Sequence, residues 1–122
     1  MRYEKLFETG KIGSLRLKNR IVMPAMGTGF ATSSGEASDE IIRYDEERAR
    51  GGCGLIITEI TRIDDETGVG MSCQLSATKG MHIQRLERLA DAVHRHDTKI
   101  FAQLHHPGRQ TPSKLLGGKP PV

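Results

Sequence analysis

The sequence lacks any long apolar run. Of its 122 residues 36% are hydrophobic and 27% charged, and no stretch approaches the about 20 consecutive apolar residues of a membrane-spanning helix. The N-terminus, MRYEKLFETGK, is polar where a secretory leader would be apolar, so a cytoplasmic location without a membrane partner is expected. Cysteine is scarce: Cys53 and Cys73 make no disulfide framework and, by themselves, no metal site. Lys and Arg are scattered rather than massed, and the net charge of +3 suits an anionic small molecule without pointing to nucleic acid. No internal repeat or low-complexity segment is evident. A Gly-rich phosphate fingerprint is also missing, because GGCGL lies before an expected strand and a dinucleotide motif must follow one. Length excludes a closed eight-stranded α/β barrel of about 250 residues. A single domain over residues 1–122 is expected.

What is present alternates. LFETGKIGSLRLKNR reads as a small β-hairpin around Gly10 and Gly13. Ile21, Val22 and Met23 form an apolar run stopped by Pro24, which suits a short strand buried on both faces. GFATSSGEAS is loop, after which Ser38 caps a helix with Asp39 and Glu40 in its first turn. Ile41, Tyr44, Arg48 and Ala49 share a face of that helix, and Gly51 and Gly52 end it. Leu55, Ile56 and Ile57 begin a second buried strand, with Glu59 near its C-terminal end. A polar loop runs from Thr61 to Thr78, long enough to suggest a functional role. A second helix follows, with Ile83, Leu86, Leu89, Ala90 and Val93 on one face, and KIFAQL is the third strand. Strand, helix, strand, helix, strand predicts an α/β fold with parallel strands and right-handed crossovers. LLGGKPPV closes the chain as loop.

Ligands of parallel α/β sheets gather at the C-terminal ends of the strands. Three segments qualify: Pro24 to Thr28, Thr58 to Thr61, and Gln103 to Arg109. The Gln103 amide offers two donors and an acceptor, enough to bind a heterocycle edge-on, or alternatively to satisfy backbone groups of neighbouring loops. Arg109 suits a phosphate or carboxylate, or pairs with Glu59. Glu59 is a candidate general base or a structural carboxylate. Adjacent His105 and His106 point to opposite faces of an extended chain and do not share a metal. His82, His94 and His96 read as part of a solvated helix face, and Cys53 as a small core residue.

LFETGKIGSLRLKNRIVMPAM, YDEERARGGCGLIITEIT and KIFAQLHHPGR together closely resemble the N-terminal part of the old yellow enzyme family of FMN-dependent oxidoreductases. MGTG after the first strand and TGVGM in the long loop resemble its 2,4-dienoyl-CoA reductase and 2-enoate reductase branch. The resemblance covers nearly the whole chain. It implies the N-terminal portion of a (β/α)8 barrel: a hairpin plugging the bottom, three strands and two helices. Residue by residue, it implies that Pro24, Ala25, Met26 and Gly27 line the flavin, that Ile60 lies close to the ring, and that the Gln103 amide bonds the flavin pyrimidine. Two departures stand out. Ile60 replaces an alanine or glycine, which predicts a more crowded ring, and Pro24 precedes Ala25 where the family has the reverse order.

The implied activity is an ene-reductase passing hydride from NAD(P)H through FMN to an activated C=C bond. The family's substrate-binding pair, proton-donating tyrosine and phosphate site come from later strands, and the branch adds a 4Fe–4S cluster and FAD. The expectation is therefore a partial barrel with little activity alone and a tendency to self-associate through its unpaired edge and exposed apolar face. Two other readings remain at this stage. One is a non-catalytic module completing a sheet with a partner; the other is a small hydrolase or metal enzyme using Glu59, His105 and His106.

Overall fold

A computed structural model describes residues 2–120. After a one-turn helix α1 (Glu4–Phe7), strands β1 (Gly10–Ile12) and β2 (Leu15–Leu17) pair antiparallel, with Ile12 opposite Leu15. This is the expected hairpin, and Gly13 at its tip takes the left-handed φ of +58° that a tight connection needs.

The main sheet is parallel. Strand β4 (Leu55–Arg62) lies at its centre, with β3 (Val22–Met23) on one edge and β6 (Lys99–His105) on the other. Helix α2 (Asp39–Arg50) links β3 to β4, and α3 (Ile83–His94) links β4 to β6. The strand–helix alternation is thus as expected. A two-residue strand, β5 (Leu75–Ser76), was not legible in the long loop; it pairs in parallel with Thr61 and Arg62 of β4.

The core lies between the sheet and the two helices. Ala31, Ala37, Ile41, Leu75 and Leu89 form one buried cluster, and Ala49, Ile56 and Val93 another; Ile100 packs against both. Ser38 caps α2 by accepting from the Ile41 N–H at 3.2 Å, satisfying a donor that the first helical turn leaves free. Cys53 is half-buried beside the second cluster, as a small packing residue.

The LKNR segment ties the bottom of the sheet together. The Asn19 amide donates to the Gly52 carbonyl at 2.7 Å, and its oxygen accepts from the Ile21 N–H at 3.0 Å. Gly54 lets this happen, since a Cβ there would sit 2.5 Å from Asn19 Oδ1. Lys18 donates to the Thr98 hydroxyl at 3.1 Å, joining β2 to the start of β6.

Several expectations need correction. The first strand is not buried on both faces, because Val22 is 42% exposed on the open side of the sheet. On α2 the buried positions are Ile41, Asp45 and Ala49. Arg48 is exposed instead and lies over the Tyr44 ring, 3.6 Å from its centre. On α3 Leu89, Ala92 and Val93 are buried while Ile83 is 66% exposed, since the helix seats only its C-terminal half on the sheet. His82 is no solvated residue: it is fully buried in a 3-10 turn before α3. Of the closing LLGGKPPV segment, expected as loop, Leu115 and Leu116 belong to a 3-10 turn, Ser113–Leu116, and residues 121–122 lie outside the described residues; a further 3-10 turn, Gly108–Gln110, follows β6.

Candidate functional site

The C-terminal ends of β3, β4 and β6 bring the candidate residues to one end of the sheet. Pro24, Ala25, Met26 and Gly27 follow β3 directly, and Pro24, Met26 and Gly27 are exposed. Ile60 and Gln103 are register partners across the β4–β6 pair. Residues that the sequence separates by more than forty positions therefore stand side by side.

A bulge in β4 makes this pairing. Ile57 pairs with Phe101 and Ile60 with Gln103, so two residues, Thr58 and Glu59, stand opposite Ala102 alone. The extra residue shifts the strand's alternation, leaving both Ile57 and Ile60 only half-buried while Thr58, Glu59 and Thr61 are buried. Bulges recur next to functional sites because they re-aim side chains.

Gln103 is exposed. Its backbone N–H donates weakly to Thr58 Oγ1 at 3.4 Å, and among the described residues its side-chain amide makes no hydrogen bond. The amide is not spent on neighbouring loops, and it remains free to serve a ligand with both donors and its acceptor. Glu59 does not pair with Arg109, which is exposed. Glu59 is 3% exposed and turns its carboxylate to the β3–α2 loop, where Oε2 accepts the Thr28 N–H at 2.7 Å and the Thr28 hydroxyl. It is thus also unavailable as a partner for His105 and His106 in a hydrolytic or metal site.

The two histidines hold the long loop instead. His105 Nδ1 lies 3.4 Å from Gln74 Nε2, and the Gln74 oxygen accepts the Gly70 N–H at 2.8 Å. His106 Nδ1 accepts from the Gly108 N–H at 3.0 Å, so its Nε2 is the protonated nitrogen facing Thr67 Oγ1 at 3.0 Å. The Thr67 hydroxyl then donates to Asp64 at 2.5 Å, and bonds from the Thr67 hydroxyl and N–H hold the Asp64 carboxyl below the usual range. At the base of the same loop Asp65 joins Lys79 at 2.9 Å and Arg62 at 2.8 Å, and these contacts depress its pKa strongly. Met71 reaches back from this loop toward the β3 loop. Its sulfur lies 3.6 Å from where a Cβ of Gly27 would stand, an ordinary van der Waals contact.

Sequence reasoning placed Thr28 in the first candidate segment without its bond to Glu59, and missed Gln74 and Asp45. Asp45 is 3% exposed, and burial, together with the charge of Glu59, raises its pKa to about 6 against the opposing influence of Arg48. A cleft of about 550 Å³ lies elsewhere, lined by hairpin residues and by Arg20 and Val22. It sits at the N-terminal end of the sheet, where parallel α/β folds do not put their chemistry.

Comparison with known proteins gives this geometry its context. The chain is 43% identical over 120 residues to an NADH oxidase of Thermoanaerobacter brockii, a match covering 98% of this chain and 18% of that protein. An old yellow enzyme homologue from Zymomonas mobilis superposes with a TM-score of 0.82 at 33% identity, covering 95% of this chain and 32% of that one. A 2-naphthoyl-CoA reductase in complex with 2-naphthoyl-CoA superposes at 0.88 with 30% identity, over 96% of this chain and 19% of the other. The chain thus spans about a fifth to a third of these proteins, and its fold is the corresponding part of a (β/α)8 barrel. The family model described as NADH:flavin oxidoreductase / NADH oxidase matches residues 5–120, and the chain belongs to that family.

Proposed function

We propose that Pro24, Ala25, Met26, Gly27, Ile60 and Gln103 form one wall of an FMN site. The activity it serves is reduction of an activated C=C bond in an enoate or enoyl-CoA-like substrate, with NAD(P)H as reductant. The observation that carries this reading is the register pair Ile60 and Gln103, with an unengaged primary amide at a strand end beside an exposed, Cβ-free Gly27. A primary amide matches the alternating donors and acceptors of a flavin pyrimidine, and a glycine lets backbone approach a planar ring. When bound, FMN supplies the hydride chemistry, while the polypeptide orients the ring and tunes its electronics through such hydrogen bonds. The half-buried Ile60 crowds the same edge.

The likeness to a 2-naphthoyl-CoA reductase supports a thioester substrate and a place in the 2,4-dienoyl-CoA reductase and 2-enoate reductase branch. A 4Fe–4S cluster and FAD, where that branch carries them, are held outside these residues. In this reading the 122-residue chain alone has little activity. The outer edge of β6 is unpaired among the described residues, and Leu104 is 65% exposed, which supports self-association of the chain.

A flavin titration of the 122-residue chain, following FMN fluorescence alongside light scattering, tests the site. Saturable quenching is expected, weakened about tenfold by Gln103→Ala, as loss of one or two net hydrogen bonds implies. A monodisperse, folded chain that leaves FMN fluorescence unchanged would sink the flavin wall.

A further inference from the structure

The β4–α3 loop, with its TGVGM stretch, supplies no residue to the flavin wall, yet it crosses the same end of the sheet. A Cβ at Gly70 would lie 3.0 Å from His105 Cε1, so Gly70 stands at the end of β6. Met71, the next residue, reaches the other edge of the sheet. Its Sδ lies 3.6 Å from the Cβ position of Gly27, and its Cε 3.7 Å from that of Gly29, both just beyond β3. Strand β4 lies between β3 and β6, so Gly70 and the Met71 side chain together span its C-terminal end. Ile60 lies just before that end.

The loop is fixed on both sides of Met71. Before it, the Thr67 carbonyl accepts the Thr111 hydroxyl at 3.2 Å, and the Gly70 N–H donates to Gln74 Oε1 at 2.8 Å. After it, Gln74 is fully buried, and Leu75 and Ser76 pair with Thr61 and Arg62 of β4. Met71 is therefore placed by its neighbours rather than by burial of its own side chain. It is half-buried and belongs to neither core cluster, whereas Met23 packs against the second.

Core packing thus does not account for a methionine here. Apart from each glycine's chain neighbours, Met71 is the sole described residue with an atom within 4 Å of either Cβ position. An unbranched thioether adapts its shape and packs its sulfur favourably against an aromatic edge. We propose that Met71 is a further flavin-binding residue, whose thioether packs against the rim of the isoalloxazine ring beside Gly27. This rests on the flavin reading above, in which Gly27 lines the ring. Gln103 bonds the polar edge of the ring from β6, and Met71 closes the slot on the β3 side by apolar contact.

The 122-residue chain labelled with 13C at its methionine methyls, titrated with FMN while fluorescence is followed, tests the contact. Met71→Leu assigns the Met71 signal. Saturating FMN is expected to shift the Met71 methyl through the ring current, well beyond any change at Met81 on the turn before α3. Met71→Ala should bind FMN about fivefold more weakly, as loss of one sulfur–aromatic contact implies, and Met71→Leu within about twofold of wild type, since that swap conserves volume. Urea unfolding of both variants should match wild type, which separates a lost contact from a lost fold. Should Met71→Ala not fold, the methyl shift of the wild type decides alone. Quenched FMN with a Met71 methyl that moves no more than that of Met81 would overturn the proposal and leave the flavin wall standing. A folded, monodisperse chain that leaves FMN fluorescence unchanged would remove the wall and this role of Met71 together.

Discussion

His82 is 1% exposed, and its Nε2 lies 3.1 Å from the carbonyl oxygen of Ser34. Its Nδ1 accepts the Lys79 N–H at 3.2 Å, which leaves Nε2 as the protonated nitrogen that donates to Ser34. The ring thus pins the loop before α2 to the turn before α3, with both nitrogens satisfied by backbone. His82→Ala opens a cavity and orphans two backbone groups, so a loss of about 2–4 kcal/mol is expected in urea unfolding. His82→Gln, which can remake one bond, should lose less. A variant within about 0.5 kcal/mol of wild type would mean that the ring does not bridge the two loops.

Gly35 stands at the other side of that bridge. Its φ is +94°, and a Cβ would lie 2.6 Å from Ser76 Cβ and 3.0 Å from Arg62 Nη2. The Gly35 carbonyl accepts the Ser76 N–H at 2.9 Å, so the loop is seated directly on β5. Gly35→Ala adds backbone strain to a clash that packed backbone cannot relieve, and about 2 kcal/mol or more of stability should be lost. Limited proteolysis should then cut within residues 30–38 faster than in wild type. Unchanged cleavage and unchanged unfolding would show that the loop has a second seating.

The residues that announced the fold were those whose local signals agree with the global arrangement. Alternating apolar runs gave β3, α2, β4, α3 and β6 in order, and Ser38 with Asp39 marked the start of α2. Gln103 was legible as a polar group interrupting an apolar strand. β5 was not, since the pair Leu75–Ser76 is too short to carry a period. Asp45 hid in the α2 stripe, because a charged residue at a core position reads as a gap in the pattern until tertiary packing closes over it. His82 looked solvated for a similar reason: Met81 and Ile83 beside it are the exposed ones, and the 3-10 turn reverses the face that helical spacing assigns. The β4 bulge also has no sequence mark, so the pairing of Glu59 with Thr28 rather than Arg109 came only from the structure.

Asp45 and Asp65 act on stability in opposite senses. The Asp45 pKa is raised from 3.8 to about 6 by burial and by Glu59, so the folded state binds a proton more tightly than the unfolded chain. Stability from this group is fully present below about pH 4 and is lost as pH rises through about 6, by up to about 3 kcal/mol for a shift of this size. Asp65 is depressed by its bonds to Lys79 and Arg62, so its contribution is present above about pH 4 and is lost as the medium becomes more acid. The wild-type curve of unfolding free energy against pH should therefore fall between about pH 4 and about pH 6, and fall again on the acid side. Asp45→Asn should remove the first decline and be the more stable protein at neutral pH, while Asp65→Asn should remove the acid one and lose stability at neutral pH. Urea unfolding across this range checks both. Identical slopes for wild type and Asp45→Asn between about pH 4 and about pH 6 would show that water reaches the Asp45 carboxyl, because burial is the largest influence raising it, ahead of the charge of Glu59, against the nearby Arg48.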